Sequence, residues 1–198
     1  MGTRIERDFL FQSAVYFEGR FLMNMYDVTL AMEVETESIR EQNVAMDRIK
    51  YFFYECIANS VFVDYTEKRV IEKYLQAELR VCTLPEAPFD QIIALLLLLK
   101  SNAITEGRLT VTDIVLKSEL SDDVKFTYDI ESANNNPYGT KGWWNLPTCA
   151  INDLGKSQKK EKVVKLIKNS DWCLPELEWE NGRAKSSEIL FSVETDKQ

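Results

Sequence analysis

The side chains that could carry chemistry in this 198-residue chain are limited first by the complete absence of histidine. Without imidazole, the chain can form no Ser-His-Asp triad, no Cys-His pair and no histidine-ligated zinc site. Its cysteines are widely separated in sequence and form no CxxC pair, which is typical of buried, reduced thiols. These four are Cys56, Cys82, Cys149 and Cys173. We therefore predict no catalytic residue, no metal ligand and no cofactor.

Aromatic side chains offer a second kind of chemistry, because a flat ligand can stack on them. Trp143 and Trp144 are adjacent and lie close to Gly139 and Gly142. This group could form a stacking platform, or it could be an aromatic plug that packs against the rest of the chain. The basic run 156–168 lacks interleaved aromatic residues, which favours a solvated helix face over a nucleic-acid site.

The overall charge excludes some classes of partner. The chain has 24 basic and 32 acidic residues, a net charge of −8, so it repels nucleic-acid phosphates and anionic membranes. Its longest apolar run, Ile92–Leu99, is far shorter than the roughly 20 residues that a membrane-spanning helix needs. The first residues lack the apolar core of a secretory signal. We expect a cytoplasmic protein that binds neither nucleic acid nor membrane.

Two pairs of predicted strands would position these groups. Residues 26–35 alternate between apolar and polar side chains and are expected to pair with residues 8–18 through a connection at 19–25. Residues 109–117 and 124–130 form a second predicted hairpin around the turn at 120–123. The apolar phase shifts near Asp113, which indicates a β-bulge.

The residues between the two predicted hairpins show helical periodicity. Helices are predicted over residues 43–59, over residues 66–78 and from just after Pro88 to about Lys100, from apolar residues that recur every three or four positions. Two hairpins that bracket helices predict an α+β fold, with an antiparallel sheet covered by helices on one face.

The character of the chain changes after residue 132. All four tryptophans lie beyond this point, and the run Asn134–Pro137 favours a turn. We therefore divide the chain into a core module, residues 1–132, and a Trp-rich C-terminal extension, residues 133–198, packed on that core. Within the extension, residues 159–168 are predicted to form a helix and residues 189–193 a strand.

Several short strings occur in the order found in a known family. Asn43–Lys50 places Asp47 in an acidic position of the first helix, and Val63-Asp64-Tyr65 follows it. Pro88-Phe89-Asp90-Gln91 then opens the last long helix, and Ser118-Glu119-Leu120 ends the third predicted strand. Over residues 8–131 this pattern resembles the tunnelling fold (T-fold) of the 6-pyruvoyl- and 6-carboxy-tetrahydropterin synthases.

The resemblance implies roles for two carboxylates and an assembly. Glu119 would hold the amino-pyrimidine edge of a pterin or purine ring through two parallel hydrogen bonds. Asp64 would be a retained proton-transfer residue, although Tyr65 stands where the family has a histidine. Subunits of T-fold proteins join their sheets into a barrel, so a homo-oligomer is implied.

The same resemblance also shows what the chain lacks. The family holds zinc through three histidines in its first hairpin, and residues 18–26 contain none. The family's nucleophile-like thiol is also missing from that connection. Zinc-dependent synthase chemistry needs the metal and an acid–base group, so it is not expected here.

Each carboxylate also has a purely structural interpretation. Glu119 could be a solvated side chain beside an acidic turn, and Asp64 could cap the helix that starts near Thr66. Asp47 and Asp90 would each lie in the first turn of a helix, where the dipole favours negative charge. The sequence therefore predicts a noncatalytic or diverged T-fold-like protein with a purine- or pterin-type pocket at Glu119 and Asp64. The alternative is a structural or interaction oligomer with no small-molecule site.

Overall fold

The fold is described from a computed structural model, which covers residues 4–154, 172 and 175–179. It begins with a long antiparallel hairpin of β1 (Arg4–Phe17) and β2 (Arg20–Val34). The tight turn is formed by Glu18 and Gly19, both with positive φ, so strand pairing continues to the tip. The seven-residue connection predicted for residues 19–25 is therefore wrong, and those residues belong almost entirely to β2.

The second predicted hairpin is confirmed and lies directly beside the first. Strand β5 (Leu109–Ser118) pairs antiparallel with β2 on one side and with the short β6 (Phe126–Asp129) on the other. The register shifts opposite Ala31 and Met32, where Thr112 is the additional residue on β5. This irregularity is the bulge that the sequence predicts near Asp113.

Two strands between the hairpins were not predicted. Strands β3 (Ser60–Asp64) and β4 (Arg80–Leu84) run parallel to each other, and β3 runs parallel to β1. The six strands form one sheet in the order β4-β3-β1-β2-β5-β6. The sheet is therefore mixed, and the expectation of a purely antiparallel sheet is wrong. Both strands are short and buried on two faces, so they show no alternation to detect.

The helices cover both faces of this sheet. Helix α1 (Ile39–Tyr51) continues into a π-helical turn, Phe52–Ile57, and packs with α3 (Asp90–Thr105) over the main core. Helix α2 (Lys68–Gln76) connects β3 to β4 and packs through Ile71 on the opposite face, against Ala14, Val61 and Val81. The prediction of helices on one face is thus wrong for α2, which belongs to a βαβ unit.

Residues beyond 132 contribute to the same core. The short helix α4 (Ile130–Asn134) follows β6, and a 3₁₀ turn at Trp143–Asn145 packs on α3. Trp143 and Trp144 are buried in the main apolar cluster, as the aromatic-plug interpretation predicts. The predicted helix at 159–168 and strand at 189–193 lie outside the described residues. The domain division at residue 132 stays a prediction.

The two edges of the sheet are treated differently. On the outer side of β4, three backbone groups form hydrogen bonds. Asn152 donates to the Val81 carbonyl, the Trp143 indole N–H donates to the Thr83 carbonyl, and the Thr83 N–H donates to the Ile151 carbonyl. Within residues 4–154, no backbone hydrogen bond is found on the outer side of β6. Strand β6 is therefore the open edge of this part of the molecule. None of the described helices is long and apolar enough to cross a membrane.

Candidate functional site

Glu119 lies at the start of a 3₁₀ turn, Glu119–Ser121, that connects β5 to β6. Its side chain is exposed, and no described residue forms a hydrogen bond or ion pair with its carboxylate. Leu120 and Val124, in the same connection, are 50% and 53% exposed. Glu119 therefore presents a carboxylate to solvent beside apolar surface, at the end of the sheet where β5 terminates.

Directly beneath this turn is a buried group of polar side chains, which we call the Asp90 cluster. Its members are Asn24, Tyr26, Asp90, Ser118 and Ser121. Asp90 begins α3, and its Oδ2 accepts hydrogen bonds of 2.6 Å from the hydroxyls of both Ser118 and Ser121. Asn24 Oδ1 accepts a bond of 3.1 Å from the Leu120 backbone N–H. The turn that carries Glu119 is therefore fixed to both β2 and α3.

Two polar atoms of the Asp90 cluster remain without a partner. Tyr26 and Asn24 are 0% and 2% exposed, and neither the Tyr26 hydroxyl nor Asn24 Nδ2 makes a hydrogen bond. Burial and the negative charge of Asp90 raise the pKa of Tyr26 more than the nearby Asn24 side chain lowers it, so the phenol keeps its proton. Unpaired buried donors cost free energy and are rare in native structures, so these two atoms call for a polar partner such as a bound water or ion.

Asp64 lies elsewhere on the sheet. Its Oδ1 accepts hydrogen bonds from the backbone N–H and the hydroxyl of Thr66, which stabilises the turn leading to α2. By strand register, Asp64 is aligned with Arg20 of β2, whereas Glu119 is aligned with Met25 of the same strand. Asp64 is on β3, and Glu119 directly follows β5, which is three strands away in the sheet. Standard strand dimensions then put the two carboxylates roughly 20 Å apart. One subunit therefore does not bring Glu119 and Asp64 together.

The remaining carboxylates named by the resemblance have structural roles. Asp90 lies in the first turn of its helix, as expected. Asp47 does not, because α1 already begins at Ile39, and the Asp47 carboxylate bonds to Lys50 at 2.9 Å on an exposed surface. The described part of the chain contains no group of three or more acidic or cysteine side chains that could hold a metal ion.

A second cluster of reactive groups was missed by the sequence analysis, and it centres on Lys100. This residue ends the apolar run of α3 and is 0% exposed. Its ammonium donates to the backbone carbonyls of Trp143, Leu146 and Thr148, at 3.0, 3.0 and 2.5 Å. Burial lowers the pKa of Lys100 to about 7. The three carbonyl acceptors act in the opposite direction, because they accept the three N–H hydrogens of the charged form.

Two thiols lie next to this lysine. Cys56, from the π-helical turn, lies near Cys149, and the neighbouring thiol together with burial raises the pKa of Cys56. The positive charges of Lys100 and Arg80 act in the opposite direction and favour the anionic form of Cys56, but their effect is smaller. The thiols are 93 positions apart in sequence (149 − 56), so no local motif could have revealed them. The one available signal was a charged residue directly after eight apolar ones.

A third cluster surrounds Arg48 and includes residues 172 and 175–179, which we call the tail. The Arg48 guanidinium is 4.8 Å from the ring centroid of Trp172 and 3.8 Å from that of Trp179. It also bonds to Glu106 at 2.7 Å and to the Leu177 carbonyl at 2.7 Å. Because Arg48 bonds to Leu177 and stacks on Trp172 and Trp179, it holds the tail against α1.

An open cleft of about 410 Å³ lies between α3, α4 and the segment that follows. It is lined by several amides, among them Asn102, Asn136 and Asn145. All three amides already bond to the backbone, which leaves them little capacity for a ligand. The cleft includes no residue of the Asp90 cluster.

Comparison with models of known protein families gives no match for this chain. No curated protein matches it either.

Proposed function

We propose that this protein is a noncatalytic, diverged T-fold-like protein that binds a flat amino-pyrimidine ring, of purine or pterin type, at Glu119. The observation that carries the proposal is the exposed, unpartnered Glu119 carboxylate above two unpaired buried donors. A carboxylate accepts two parallel N–H bonds from such a ring edge, and charge-assisted bonds of this kind are strong and directional. The resemblance of the short strings quoted in the sequence analysis supports the same ligand class.

The surroundings of Glu119 support ring binding rather than catalysis. Leu120 and Val124 supply apolar surface against which one ring face could pack. The Tyr26 phenol and the Asn24 amide offer donors for a carbonyl or ring nitrogen that enters beneath the turn. Asp64 is roughly 20 Å from Glu119 in the same subunit, so it could contribute only from a neighbouring subunit. A cytoplasmic location remains part of the prediction.

Calorimetric titration tests this proposal with guanine and pterin derivatives, using a pyrimidine without an exocyclic amine as the negative control. We expect saturable binding of the amino-substituted rings. Glu119→Gln should weaken that binding at least tenfold, because one charged acceptor is lost. Asp122→Asn is the matched control, since it removes the same charge from the same exposed turn. The proposal fails if no such ring binds at millimolar concentration, or if both variants bind like wild type.

A second candidate function is a structural or interaction protein that forms oligomers. The observation that favours it is the open edge of β6 beside exposed Leu120 and Val124. Because the β4 edge is occupied by residues 143–152, copies could not join edge to edge into a closed ring through both ends of the sheet. Pairing through β6 would instead give a two-fold dimer.

Light scattering over a range of concentrations separates the two candidates. A dimer that dissociates when Val124 is changed to Glu, with no ring binding, supports the interaction function. A monomer that binds the ring supports the first proposal. A dimer that forms regardless of the Val124 change would place the interface away from β6.

A further inference from the structure

Strand β6 has a row of outward backbone groups for which the described part of the chain supplies no partner. It pairs on one side with β5, and no backbone hydrogen bond from residues 4–154 or 175–179 reaches its other side. The side chains of Phe126 and Tyr128 are only half-buried, although both pack against the main core. An unpaired edge beside half-buried aromatic side chains is a surface that a further strand would cover.

We propose that residues 189–193 of the same chain pair antiparallel with β6 and add a seventh strand to the six-stranded sheet. These residues belong to the segment 180–198, which lies outside the described residues. Ile189, Phe191 and Val193 occupy alternate positions, the pattern of a strand with one apolar face. The inference is independent of ring binding at Glu119, and it names a different partner for the edge that the alternative dimer would use.

The segment starts from a fixed point near the sheet. Trp179 donates a hydrogen bond of 2.8 Å to Glu106, and its ring centroid is 4.3 Å from the Arg108 guanidinium. Arg108 immediately precedes β5, and the nearer end of β6 is Asp129. Standard strand dimensions put the outer side of β6 about 20 Å from Arg108, and residues 180–188 span up to about 30 Å when extended. The chain is therefore long enough to reach the open edge.

The starting point also determines the direction of the new strand. Strand β6 runs from Phe126 to Asp129, toward the end of the sheet where Arg108 lies. A segment that enters from that end runs antiparallel to β6. The new pair would then continue the antiparallel order of β2, β5 and β6.

The apolar pattern of the segment matches the half-buried side of β6. With Phe191 opposite Tyr128, the two aromatic rings lie on the same face of the sheet. Val193 is then opposite Phe126. Because a strand turns every second side chain to one face, this alignment extends the main core past its present edge.

Charge selects this register over its neighbours. It places Glu194 opposite Lys125, a pair of opposite charge. A shift of two residues in one direction puts Glu194 opposite Asp123, a pair of like charge that destabilises the sheet. The opposite shift puts Phe191 beside Ile130, which already belongs to α4.

Amide hydrogen exchange measured by NMR tests the pairing in the full chain. Neighbouring residues of a strand direct their N–H groups to opposite sides, so alternate β6 amides point away from β5. We expect these outward amides to exchange slowly in wild type. Phe191→Asp should accelerate their exchange about tenfold or more, because it places a charge on the apolar face of the new strand. Ala184→Asp is the matched control, since it adds the same charge before the strand, and should leave the exchange unchanged.

Carbodiimide cross-linking tests the register, because this reagent joins an amine directly to a carboxylate. Peptide mapping of the monomer should find Lys125 linked to Glu194. Glu194→Gln should abolish this link, and Glu188→Gln, the matched control, should leave it unchanged.

Three results would overturn the proposal. The first is fast exchange of the outward β6 amides in wild type. The second is slow exchange that Phe191→Asp does not change, which would assign the edge to another partner, such as β6 of a second copy. The third is a link between Lys125 and Glu194 that occurs only in covalent dimers, which would assign the strand to a neighbouring chain.

Discussion

The buried ammonium of Lys100 makes the stability of this protein depend on pH in an unusual window. The folded state holds Lys100 with a pKa of about 7, whereas an unfolded lysine has a pKa of about 10.4. Between these values the unfolded chain binds the additional proton, so the free energy of unfolding increases with pH. The chain has no histidine to titrate in the same range.

The size of this effect follows from the two protonation states. From pH 6.5 to 8.5 the folded lysine passes from mostly charged to almost entirely neutral, while the unfolded lysine stays charged. Integration over this range gives a contribution from Lys100 of about 1.9 kcal/mol to the free energy of unfolding, and half-ionisation of the unfolded Cys56 and Cys82 thiols by pH 8.5 offsets about 0.8 kcal/mol of it. Above about pH 8.5 the trend should reverse, because only the unfolded thiols ionise: the neighbouring Cys149 and burial raise the pKa of Cys56, and burial raises the pKa of Cys82.

Urea denaturation at several pH values measures this dependence. Lys100→Met should remove the increase, even though the variant is less stable at every pH because three carbonyls lose their donor. Lys117→Met should keep the increase, since Lys117 is a surface residue paired with Asp27. If Lys100→Met does not fold, NMR titration of the Lys100 side chain in wild type replaces it. A wild-type stability that stays flat from pH 6.5 to 8.5 would refute the reasoning.

Three further substitutions test the packing of the segments described above. A Cβ at Gly142 would lie 2.2 Å from ring carbons of Trp144, so Gly142→Ala should displace the buried indole and cost about 1–3 kcal/mol in urea denaturation. A variant as stable as wild type would contradict this contact. Arg48→Lys removes the planar group that stacks on Trp179, and should cost about 1–2 kcal/mol and alter tryptophan fluorescence. Unchanged fluorescence would argue against the docked tail. Asp90→Asn removes the charged acceptor shared by two serine hydroxyls, and a loss of about 1–2 kcal/mol is expected by the same denaturation assay. No loss would show that those bonds contribute little to stability.

The parts of the fold with strong periodicity were predictable from the sequence. The alternation in β2 and in the second hairpin identified both antiparallel pairs and the bulge, because each strand has one buried and one solvated face. Strands β3 and β4 were missed because five residues buried on both sides resemble any apolar segment. Once they are missed, α2 cannot be assigned to the opposite face.

The candidate sites were predictable only where neighbouring residues lie close in sequence. Ser118 and Glu119 could be placed at the end of a strand, but their connection to Asn24 and Asp90 depends on tertiary packing. The bonds from Lys100 to the carbonyls of Trp143, Leu146 and Thr148 have the same origin. Sequence patterns report local geometry, whereas these clusters arise from elements that meet only in the folded chain.

The pairing of β2 with β5 has a consequence for synthesis on the ribosome. Tyr26 pairs with Ser118, 92 positions later (118 − 26), so β2 emerges long before its partner. Until then one side of a 15-residue strand remains unpaired on the nascent chain, a state prone to association with other chains. Chaperone binding or slow release during this interval should therefore affect the yield of this protein more than the stability of its final fold.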